Sequence, residues 1–504
     1  MNVRPIRKVL IANRGEIAVR IMRTCREKGI RTVAVYSDAD RSMPHVLHAD
    51  EAYNIGPPPS RQSYLRMDTI IGVAQRSGAD AVHPGYGFLS ENAAFARAVT
   101  DAGLVFVGPP DTAIRAMGDK TEARKLVRLA GVPTVPGTEE PLESEEDARA
   151  FCQSHGFPVL LKAAAGGGGK GMRVVSAADQ LGPALRSAQS EALSAFGDSR
   201  VYVEKYLASP RHVEFQILAD NEGNTIHLGE RECSIQRRHQ KVIEETPSVI
   251  VNEELRRTMG ATAVMAARAC GYVNAGTIEF LVDDQRNFYF LEMNTRLQVE
   301  HPITELRTGI DLVAAQLRIA SGETLPLTQE QVEFRGHAIE CRICAEDVGN
   351  NYMPSTGRIT HLRPAVGPGI REDRGVEEGG EISVYYDPMI SKLVAWAPTR
   401  REALSRMDRA LQEYEILGVK TNIPLCLAII RHSEFQAGNF TTHFLRDNHL
   451  AGTLRPLSDT ERKAVALSCA FLEEEAERIM ALTAEVPTDG FSGWKSKRIL
   501  GMRQ

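Results

Sequence analysis

The chain has 504 residues, 43% of them hydrophobic and 25% charged, with a formal net charge of -5 at pH 7. That length suits about three domains of ordinary size, and the slightly acidic balance excludes nucleic-acid binding driven by bulk charge. No apolar run reaches the roughly 18 residues of a membrane-spanning helix, and eight cysteines without framework spacing indicate reduced thiols in a cytoplasmic protein.

The first hundred or so residues alternate apolar runs with helical patterns, as expected of a parallel α/β domain. The pattern predicts strands at residues 8–12, 32–36, 81–83 and 105–107, and helices at residues 15–28, 64–76 and 91–102. The first strand is followed by Asn13-Arg14-Gly15-Glu16 and not by a Gly-x-Gly-x-x-Gly fingerprint. A dinucleotide site is therefore not indicated here.

A glycine-rich loop at residues 163–171 separates two predicted strands, residues 158–162 and 172–175. The loop contains a formal Gly-x-Gly-x-x-Gly match, but a Rossmann fingerprint opens a helix and does not join two strands. With Lys162 and Lys170 nearby, the pattern favours a mobile flap whose backbone N–H groups close over phosphates. A flexible linker is the alternative.

Residues 275–292 contain two β-favouring runs joined by a short polar turn, which predicts a hairpin. If the strands pair symmetrically about the turn, Val282 faces Tyr289 and Glu279 faces Glu292. A slip of one residue would leave an ordinary exposed hairpin.

Two glutamates directly opposite each other repel unless something compensates their charge. A divalent cation bound by Glu279 and Glu292, with Asn294 as a third oxygen ligand, is the natural compensator. The sequence therefore predicts a Mg²⁺ or Mn²⁺ site in this hairpin.

Chemically active side chains occupy every second position after the hairpin: Glu292, Asn294, Arg296, Gln298 and Glu300. In an extended strand these side chains would all project into one cavity. We expect an active-site wall, with a solvated edge strand of mixed charge as the alternative.

The basic run at residues 236–241 would place His239 and Lys241 on the same side of a strand, or form a solvated basic face. Lys120, Lys162 and the glycine loop could hold phosphates. Together with the metal cluster, these groups meet the needs of phosphoryl transfer: a phosphate clamp, a cation, and groups that position the nucleophile.

The third region, residues 333–447, returns to an α/β pattern. Its predicted strand around Cys341 and Cys344 sends the two sulfurs to opposite faces, so a zinc or redox role is not favoured. In the tail, a capping box at residues 458–461 precedes a predicted amphipathic helix at residues 463–482, which could pack on its own domain or dock a partner.

Five segments together, in this order, resemble biotin carboxylase, an ATP-grasp enzyme: residues 7–17, 83–92, 117–120, 236–241 and 292–305. The similarity runs from about residue 5 to residue 447. It implies a mixed α/β (α+β) fold with four parts: a Rossmann-like pre-ATP-grasp domain (1–116), an ATP-grasp domain (117–326) with a mobile lid at about 132–203, a biotin carboxylase C-terminal domain (333–447) and a helical tail (448–504).

The resemblance further implies that Mg·ATP phosphorylates bicarbonate to carboxyphosphate, which yields CO₂ for capture by the ureido nitrogen of biotin. The residues implied in ATP binding are Lys120, Lys162, Gly168, Gly169, Glu204, Lys205, Tyr206, Leu207, His212, Gln236, His239, Glu279 and Glu292. The implied metal ligands are Glu279, Glu292 and Asn294. Bicarbonate would be held by Lys241, Arg296, Arg342 and the backbone of Val299, Glu300 would be the general base, and Arg342 would stabilise the biotin enolate.

No Met-Lys-Met biotinylation sequence occurs in the chain, so biotin is expected on a separate carrier protein, and a carboxyltransferase is expected to be a further partner. Ala164 and Ala165 stand where some relatives have Ser and Gly, which concerns the mobility of the lid. The resemblance also implies a homodimer. The expected function is the first half-reaction of an acetyl-CoA or other acyl-CoA carboxylase, with a two-subunit pyruvate carboxylase as the alternative.

Two rival functions differ from this one. Another ATP-grasp ligase would keep the metal glutamates without needing Arg342 or the Glu300 base. A silent ATP-binding regulatory subunit would not need intact Glu279, Glu292, Arg296 and Glu300.

Overall fold

The structure is a computed structural model that describes residues 3–138, 140–142, 144–163, 172–238, 240–450 and 459–484. The glycine run with Gly168 and Gly169, together with His239 and Ser458, lies outside the described residues.

The N-terminal segment forms a parallel five-stranded sheet of order β3-β2-β1-β4-β5 flanked by helices. Its strands are β1 (Lys8–Ile11), β2 (Arg31–Tyr36), β3 (Glu51–Asn54), β4 (Ala81–His83) and β5 (Val105–Phe106), and its helices are α1 (Gly15–Glu27), α2 (Pro44–His48), α3 (Met67–Ser77), α4 (Ala93–Asp101) and α5 (Asp111–Gly118). The predicted parallel α/β segment is confirmed. The helix predicted at residues 91–102 begins two residues late because the Asn92 side chain accepts a hydrogen bond from the N–H of Phe95 and caps α4.

The next segment carries a small antiparallel sheet of order β7-β6-β8. Its elements are α6 (Lys120–Leu129), α7 (Glu145–His155), β6 (Val159–Ala163), β7 (Met172–Val175), α8 (Leu181–Phe196) and β8 (Val201–Lys205). The Asp119 side chain accepts from the N–H groups of Thr121 and Glu122 and starts α6. The two strands predicted on either side of the glycine run are confirmed.

Residues 211–320 supply the long strands that carry the chemistry. The elements are β9 (Arg211–Ala219), β10 (Thr225–Arg237), β11 (Gln240–Thr246), α9 (Glu253–Ala269), β12 (Asn274–Val282), β13 (Phe288–Asn294), α10 (His301–Thr308) and α11 (Leu312–Ala320). Phe215, Ile217, Ile278 and Phe280, on alternate positions of β9 and β12, are fully buried against α9 in one core cluster. This alternation leaves the polar positions of the same strands to the opposite face of the sheet.

Residues 337–447 complete the same sheet. The elements are β14 (His337–Cys344), β15 (Glu346–Asp347), β16 (Met353–Pro354), β17 (Gly357–Arg358), β18 (His361–Arg363), β19 (Ile370–Arg374), β20 (Glu381–Ile382), β21 (Met389–Ala397), α12 (Arg400–Glu413), β22 (Glu415–Leu417), α13 (Ile423–Arg431), α14 (Ser433–Ala437) and α15 (Phe444–Asp447). The eight-stranded antiparallel sheet has the order β13-β12-β9-β10-β11-β14-β21-β19. Because β11 pairs with β14, the second and third predicted regions share one sheet.

The tail helix α16 (Asp459–Ala484) confirms the helix predicted at residues 463–482 and belongs to a second compact unit, residues 452–504. Among the described residues, no helix combines the length and apolarity required to cross a membrane.

Candidate active site

The hairpin of β12 and β13 places two carboxylates side by side. Glu279 lies directly opposite Glu292, as predicted. The predicted pairing of Val282 with Tyr289 is wrong, because Val282 faces Phe288. One extra residue of β13, a β-bulge next to Glu292, shifts the register between the turn and the two glutamates. The carboxylate pair therefore depends on the bulge.

Glu279 is the meeting point of four side chains. Its Oε1 accepts hydrogen bonds from Asn294 Nδ2 at 2.8 Å, Gln298 Nε2 at 2.8 Å and Lys241 Nζ at 2.9 Å. Its Oε2 lies 2.9 Å from Nε2 of His212. Burial opposes ionisation of Glu279, but the charges of Lys241 and His212 outweigh it and hold the pKa of this carboxyl well below its ordinary value.

Glu292 remains partly open, with 40% of its side chain exposed, and Lys120 Nζ lies 3.7 Å from its Oε2. Burial and the neighbouring charge of Glu279 raise the pKa of Glu292. This repulsion is what a divalent cation between the two carboxylates would remove. The carboxylate oxygens fit Mg²⁺ or Mn²⁺, whereas Asn294 presents its amide nitrogen to Glu279 and its oxygen accepts from Arg296 Nη2 at 3.1 Å.

The expected extended strand from Glu292 to Glu300 is wrong beyond Asn294, where β13 ends. Residues 295–300 form an irregular turn, and Glu300 is the residue that precedes α10. The polar side chains nevertheless converge, because the turn brings Gln298 back to Glu279. The side chains converge because residues 295–300 form a turn. The period-two pattern therefore predicted the right residues, but from an extended strand that ends at Asn294.

Lys241 sits inside a triangle of carboxylates. Its Nζ lies 2.6 Å from Glu214 Oε2, 2.9 Å from Glu279 Oε1 and 2.6 Å from Glu300 Oε1. Burial disfavours the ammonium, but the surrounding negative charges hold the pKa of Lys241 well above its ordinary value. Burial likewise disfavours ionised Glu300, yet Lys241 and Arg342 hold the pKa of this carboxyl well below its ordinary value. Glu300 is therefore ionised at neutral pH and ready to accept a proton.

The single strand expected at residues 236–241 is wrong. β10 ends at Arg237, Arg238 has a positive φ of 49°, and β11 starts at Gln240. The run is thus a tight hairpin in which Gln236 pairs with Lys241. The hairpin directs Lys241 back toward the glutamates of β9 and β12.

Arg342, on β14, links two carboxylates. Its guanidinium donates to Glu244 Oε1 at 2.6 Å and to Glu300 Oε2 at 3.0 Å. The neighbouring Cys341 is fully buried, whereas Cys344 is partly exposed and lines a cavity. Both cysteines are free thiols, as expected.

A cavity of about 520 Å³ opens beside this cluster. Lys241, Arg296, Val299 and Arg342, the four residues implied in bicarbonate binding, all line it. Arg296 is held there by Glu91, whose Oε2 accepts from Nε at 2.9 Å. Arg14 and Arg237 also line the cavity, which makes five cationic side chains, and the buried Glu300 contacts two of them, Lys241 and Arg342.

Several residues implied in nucleotide binding contact one another or the two metal glutamates: Lys120 approaches Glu292, and His212 approaches Glu279. Lys162 Nζ donates to Glu204 Oε2 at 2.9 Å, and Arg124 also contacts Glu204. Gln236 and His212 are joined by a hydrogen bond of 2.8 Å.

Lys205 donates to the carbonyl of His155 at 2.8 Å and so fastens the end of α7 to β8. Tyr206 and Leu207, half-buried, directly follow β8.

Several residues of the cluster escaped the sequence reasoning. Glu214 contacts Lys241, and the fully buried Arg231 donates to Glu214 at 2.6 Å and to Gln298 at 2.7 Å. The signal for Glu214 is the alternation of His212 and Glu214 along β9, the same period of two that singled out the hairpin. Arg231 has no such signal, since its role depends on strands distant in sequence.

Three family models match successive parts of the chain. Residues 5–114 match the family described as biotin carboxylase, N-terminal domain, residues 119–328 match the carbamoyl-phosphate synthase L chain, ATP binding domain, and residues 340–447 match the biotin carboxylase C-terminal domain.

Among curated relatives, the chain is 52% identical to a pyruvate carboxylase subunit of Methanothermobacter thermautotrophicus over 485 residues, which cover 95% of this chain and 98% of the relative. It is also 52% identical to biotin carboxylase 1 of Bacillus subtilis over 449 residues, which cover 89% of this chain and 100% of the relative.

Among solved structures, the chain resembles the biotin carboxylase domain dimer of Hydrogenobacter thermophilus 2-oxoglutarate carboxylase, solved with MgADP, ADP and bicarbonate. The TM-score is 0.84 at 47% identity, and the match covers 89% of this chain and 99% of that one. The biotin carboxylase subunit of a pyruvate carboxylase matches with a TM-score of 0.79 at 50% identity, over 88% of this chain and 99% of that one.

Proposed function

Because the chain belongs to the biotin carboxylase family and is an ATP-grasp ligase, we propose that it carboxylates biotin on a separate carrier protein, using Mg·ATP and bicarbonate. The observation that carries this proposal is the position of Glu300. Its ionised carboxylate contacts both Lys241 and Arg342, and these two cations line the cavity together with Arg296.

The phosphate-binding half of the site is formed by Lys120 and Lys162, with the metal ligands Glu279, Glu292 and Asn294 beside them. Mg²⁺ held by these oxygens would neutralise charge on the phosphates of ATP during transfer. Lys120, 3.7 Å from Glu292, reaches the same edge of the site. Lys241, which lines the cavity and contacts both Glu279 and Glu300, connects the metal ligands to the cavity.

Bicarbonate binds in the cavity, where Lys241, Arg296 and the backbone of Val299 hold the anion. Glu300 removes its proton, the bicarbonate oxygen attacks the γ-phosphorus of ATP, and the bond to the bridging oxygen breaks, so that carboxyphosphate forms and ADP leaves. The low pKa of Glu300 keeps this carboxylate ionised at neutral pH, but it also makes the group a weaker base, so the role rests on the position of Glu300 beside Lys241 and Arg342. The proton remains on Glu300 within hydrogen-bond distance of Lys241 and Arg342.

Biotin enters the same cavity, and Arg342 stabilises the negative charge that develops on its ureido oxygen. A guanidinium donor in a buried site suits this task because it stays charged at any physiological pH. The cavity volume of about 520 Å³ lies within the usual range for a small organic ligand. We further propose a homodimer and two partners, a biotin carrier protein and a carboxyltransferase.

The final carboxyl acceptor is an acyl-CoA, such as acetyl-CoA, or pyruvate. The lengths of the matches support both candidates. The match to the Methanothermobacter pyruvate carboxylase chain extends over 485 residues, whereas the match to biotin carboxylase 1 extends over 449. A propionyl-CoA carboxylase alpha chain from Ruegeria pomeroyi also matches over 491 residues at 50% identity, which supports the first candidate. Co-purification of the carboxyltransferase, followed by assay with each acceptor, decides between them.

The function itself is tested by ATP hydrolysis in the purified chain. We expect hydrolysis that requires bicarbonate and is stimulated by free biotin. ATP hydrolysis that does not require bicarbonate but is stimulated by an amine would indicate a different ATP-grasp ligase. Nucleotide binding without any turnover would indicate a regulatory subunit.

A further inference from the structure

Lys392 is a fully buried cation on β21, the strand next to the β19 edge of the eight-stranded sheet. It lies on β21 directly opposite Arg342 of β14 and, on the other side, opposite Asp373 of β19. Side chains directly opposite on neighbouring strands point to the same face of the sheet. Lys392 therefore projects on the face that carries Arg342, toward the carboxylation site.

The ammonium of Lys392 joins three separate parts of the chain. Its Nζ donates to the carbonyl of Val299 at 2.9 Å, lies 3.1 Å from Glu16 Oε2 and lies 3.9 Å from Asp373 Oδ2. Glu16 belongs to the first turn of α1, Val299 to the turn before α10, and Asp373 to β19. Among these contacts, only the hydrogen bond to Val299 reaches the main chain.

Burying an ammonium group is costly, and an apolar side chain of similar size would often stabilise the sheet at least as well. A lysine at this position therefore calls for a reason beyond packing. The peptide group that contains the Val299 carbonyl continues directly into Glu300, and its six atoms are planar. Any group that holds this carbonyl also orients the backbone from which the Glu300 side chain departs.

We propose that Lys392 is a positioning residue for the carboxylation site, which holds the Val299 carbonyl and so directs the Glu300 carboxylate between Lys241 and Arg342. This inference rests on the proposed function. Glu16 completes the arrangement as a carboxyl oxygen 3.1 Å from the ammonium of Lys392. A hydrogen bond between the Tyr86 hydroxyl and Glu16 Oε1 holds that carboxylate in turn, and both residues line the cavity.

The test replaces the ammonium by an apolar chain of similar length, Lys392→Met, in the full-length protein. We expect kcat/KM for bicarbonate to fall by about 10- to 100-fold, the size of effect that a small misplacement of a reacting group produces. The KM for Mg·ATP should change by less than about twofold, because Val299, Glu16 and Asp373, which Lys392 contacts, are not among the residues implied in ATP binding.

Arg256→Met serves as the matched control. Arg256, on α9, makes a buried bidentate pair with Glu230 at 2.7 Å and 2.7 Å, and the cavity does not include it. Its loss should lower the melting temperature while both kinetic constants stay near the wild-type values. The positioning role is refuted if Lys392→Met lowers the melting temperature and leaves both kinetic constants near the wild-type values, as expected of the control. It is also refuted if the variant changes the constants for bicarbonate and for Mg·ATP by the same factor.

Glu16→Gln covers the case in which Lys392→Met does not fold. This variant keeps an acceptor for Lys392 but removes the carboxylate that Glu16 presents once the pH exceeds its pKa of about 7, so at pH 8 we expect a loss of about 3- to 10-fold in kcat/KM for bicarbonate with unchanged KM for Mg·ATP. An unchanged kcat/KM for bicarbonate in Glu16→Gln refutes the inference. Failure of the proposed function itself is recognised separately, because the wild-type protein would then show no bicarbonate-dependent ATP hydrolysis.

Discussion

Replacing Glu300 by glutamine removes the charge of the proposed base and little else. The carboxylate is 1% exposed and accepts hydrogen bonds from Lys241 at 2.6 Å and from Arg342 at 3.0 Å. An amide of the same shape keeps one acceptor oxygen but turns an NH₂ group toward the other cation. The variant should therefore fold while losing the ability to take a proton.

Two contributions set the expected losses of activity and of stability in Glu300→Gln. A positioned general base contributes about 10²- to 10⁴-fold to the rate, or about 3 to 5 kcal/mol of activation free energy. A hydrogen bond to a charged partner contributes about 1.5 to 3 kcal/mol to stability, and one of the two is lost. We therefore expect kcat to fall by at least about 100-fold, with a loss of stability of about 2 kcal/mol.

The assay is bicarbonate-dependent ATP hydrolysis with free biotin, measured beside a denaturant unfolding curve. Glu245→Gln is the matched control, since Glu245 is also 1% exposed and accepts from His337 at 2.6 Å and Arg400 at 2.8 Å. It should lose similar stability and keep its turnover. Near-normal kcat in Glu300→Gln, or equal loss in both variants, would refute the assigned role.

Three further predictions concern other groups of the same site. Chelation of divalent cations should abolish ATP hydrolysis, with recovery on addition of Mg²⁺ or Mn²⁺, and Glu279→Gln should raise the Mg²⁺ concentration needed for half-maximal rate; an unchanged requirement would contradict the ligand assignment. Arg342→Met should reduce the biotin-stimulated rate by about 100-fold while KM for Mg·ATP stays constant, and equal loss without biotin would contradict a role toward biotin. Burial raises the pKa of Glu16 from its ordinary 4.5 to about 7, so the folded state keeps a proton that the unfolded chain releases, and the free energy of unfolding should fall by about 3 kcal/mol as pH rises from about 4.5 to about 7. Glu16→Gln should flatten this dependence in denaturant titrations, and parallel curves for the two proteins would contradict the shift.

The sequence pattern was sufficient to predict those elements that depend on residues close together in the sequence. The alternation of short apolar runs with helical periodicity predicted four strands of the parallel N-terminal sheet and three of its helices, because each of these is recognisable within about a dozen residues. It did not predict β3, α2 or α5. The pairing of Glu279 with Glu292 was predicted for the same reason, since a hairpin joins neighbours in sequence. The bulge that produces this pairing was not predicted, and the expected strand through residues 236–241 proved to be a hairpin turn.

The electrostatic arrangement of the site was decided only by tertiary structure. Lys241 meets carboxylates from β9, β12 and the start of α10, and Lys392 meets Glu16 across 376 positions of sequence. Sequence pattern determined which side chains could act, because residue type and period follow from the chain itself. The pKa of each group and the orientation of the Glu300 carboxylate depend on contacts between distant strands, which exist only once the shared eight-stranded sheet has formed.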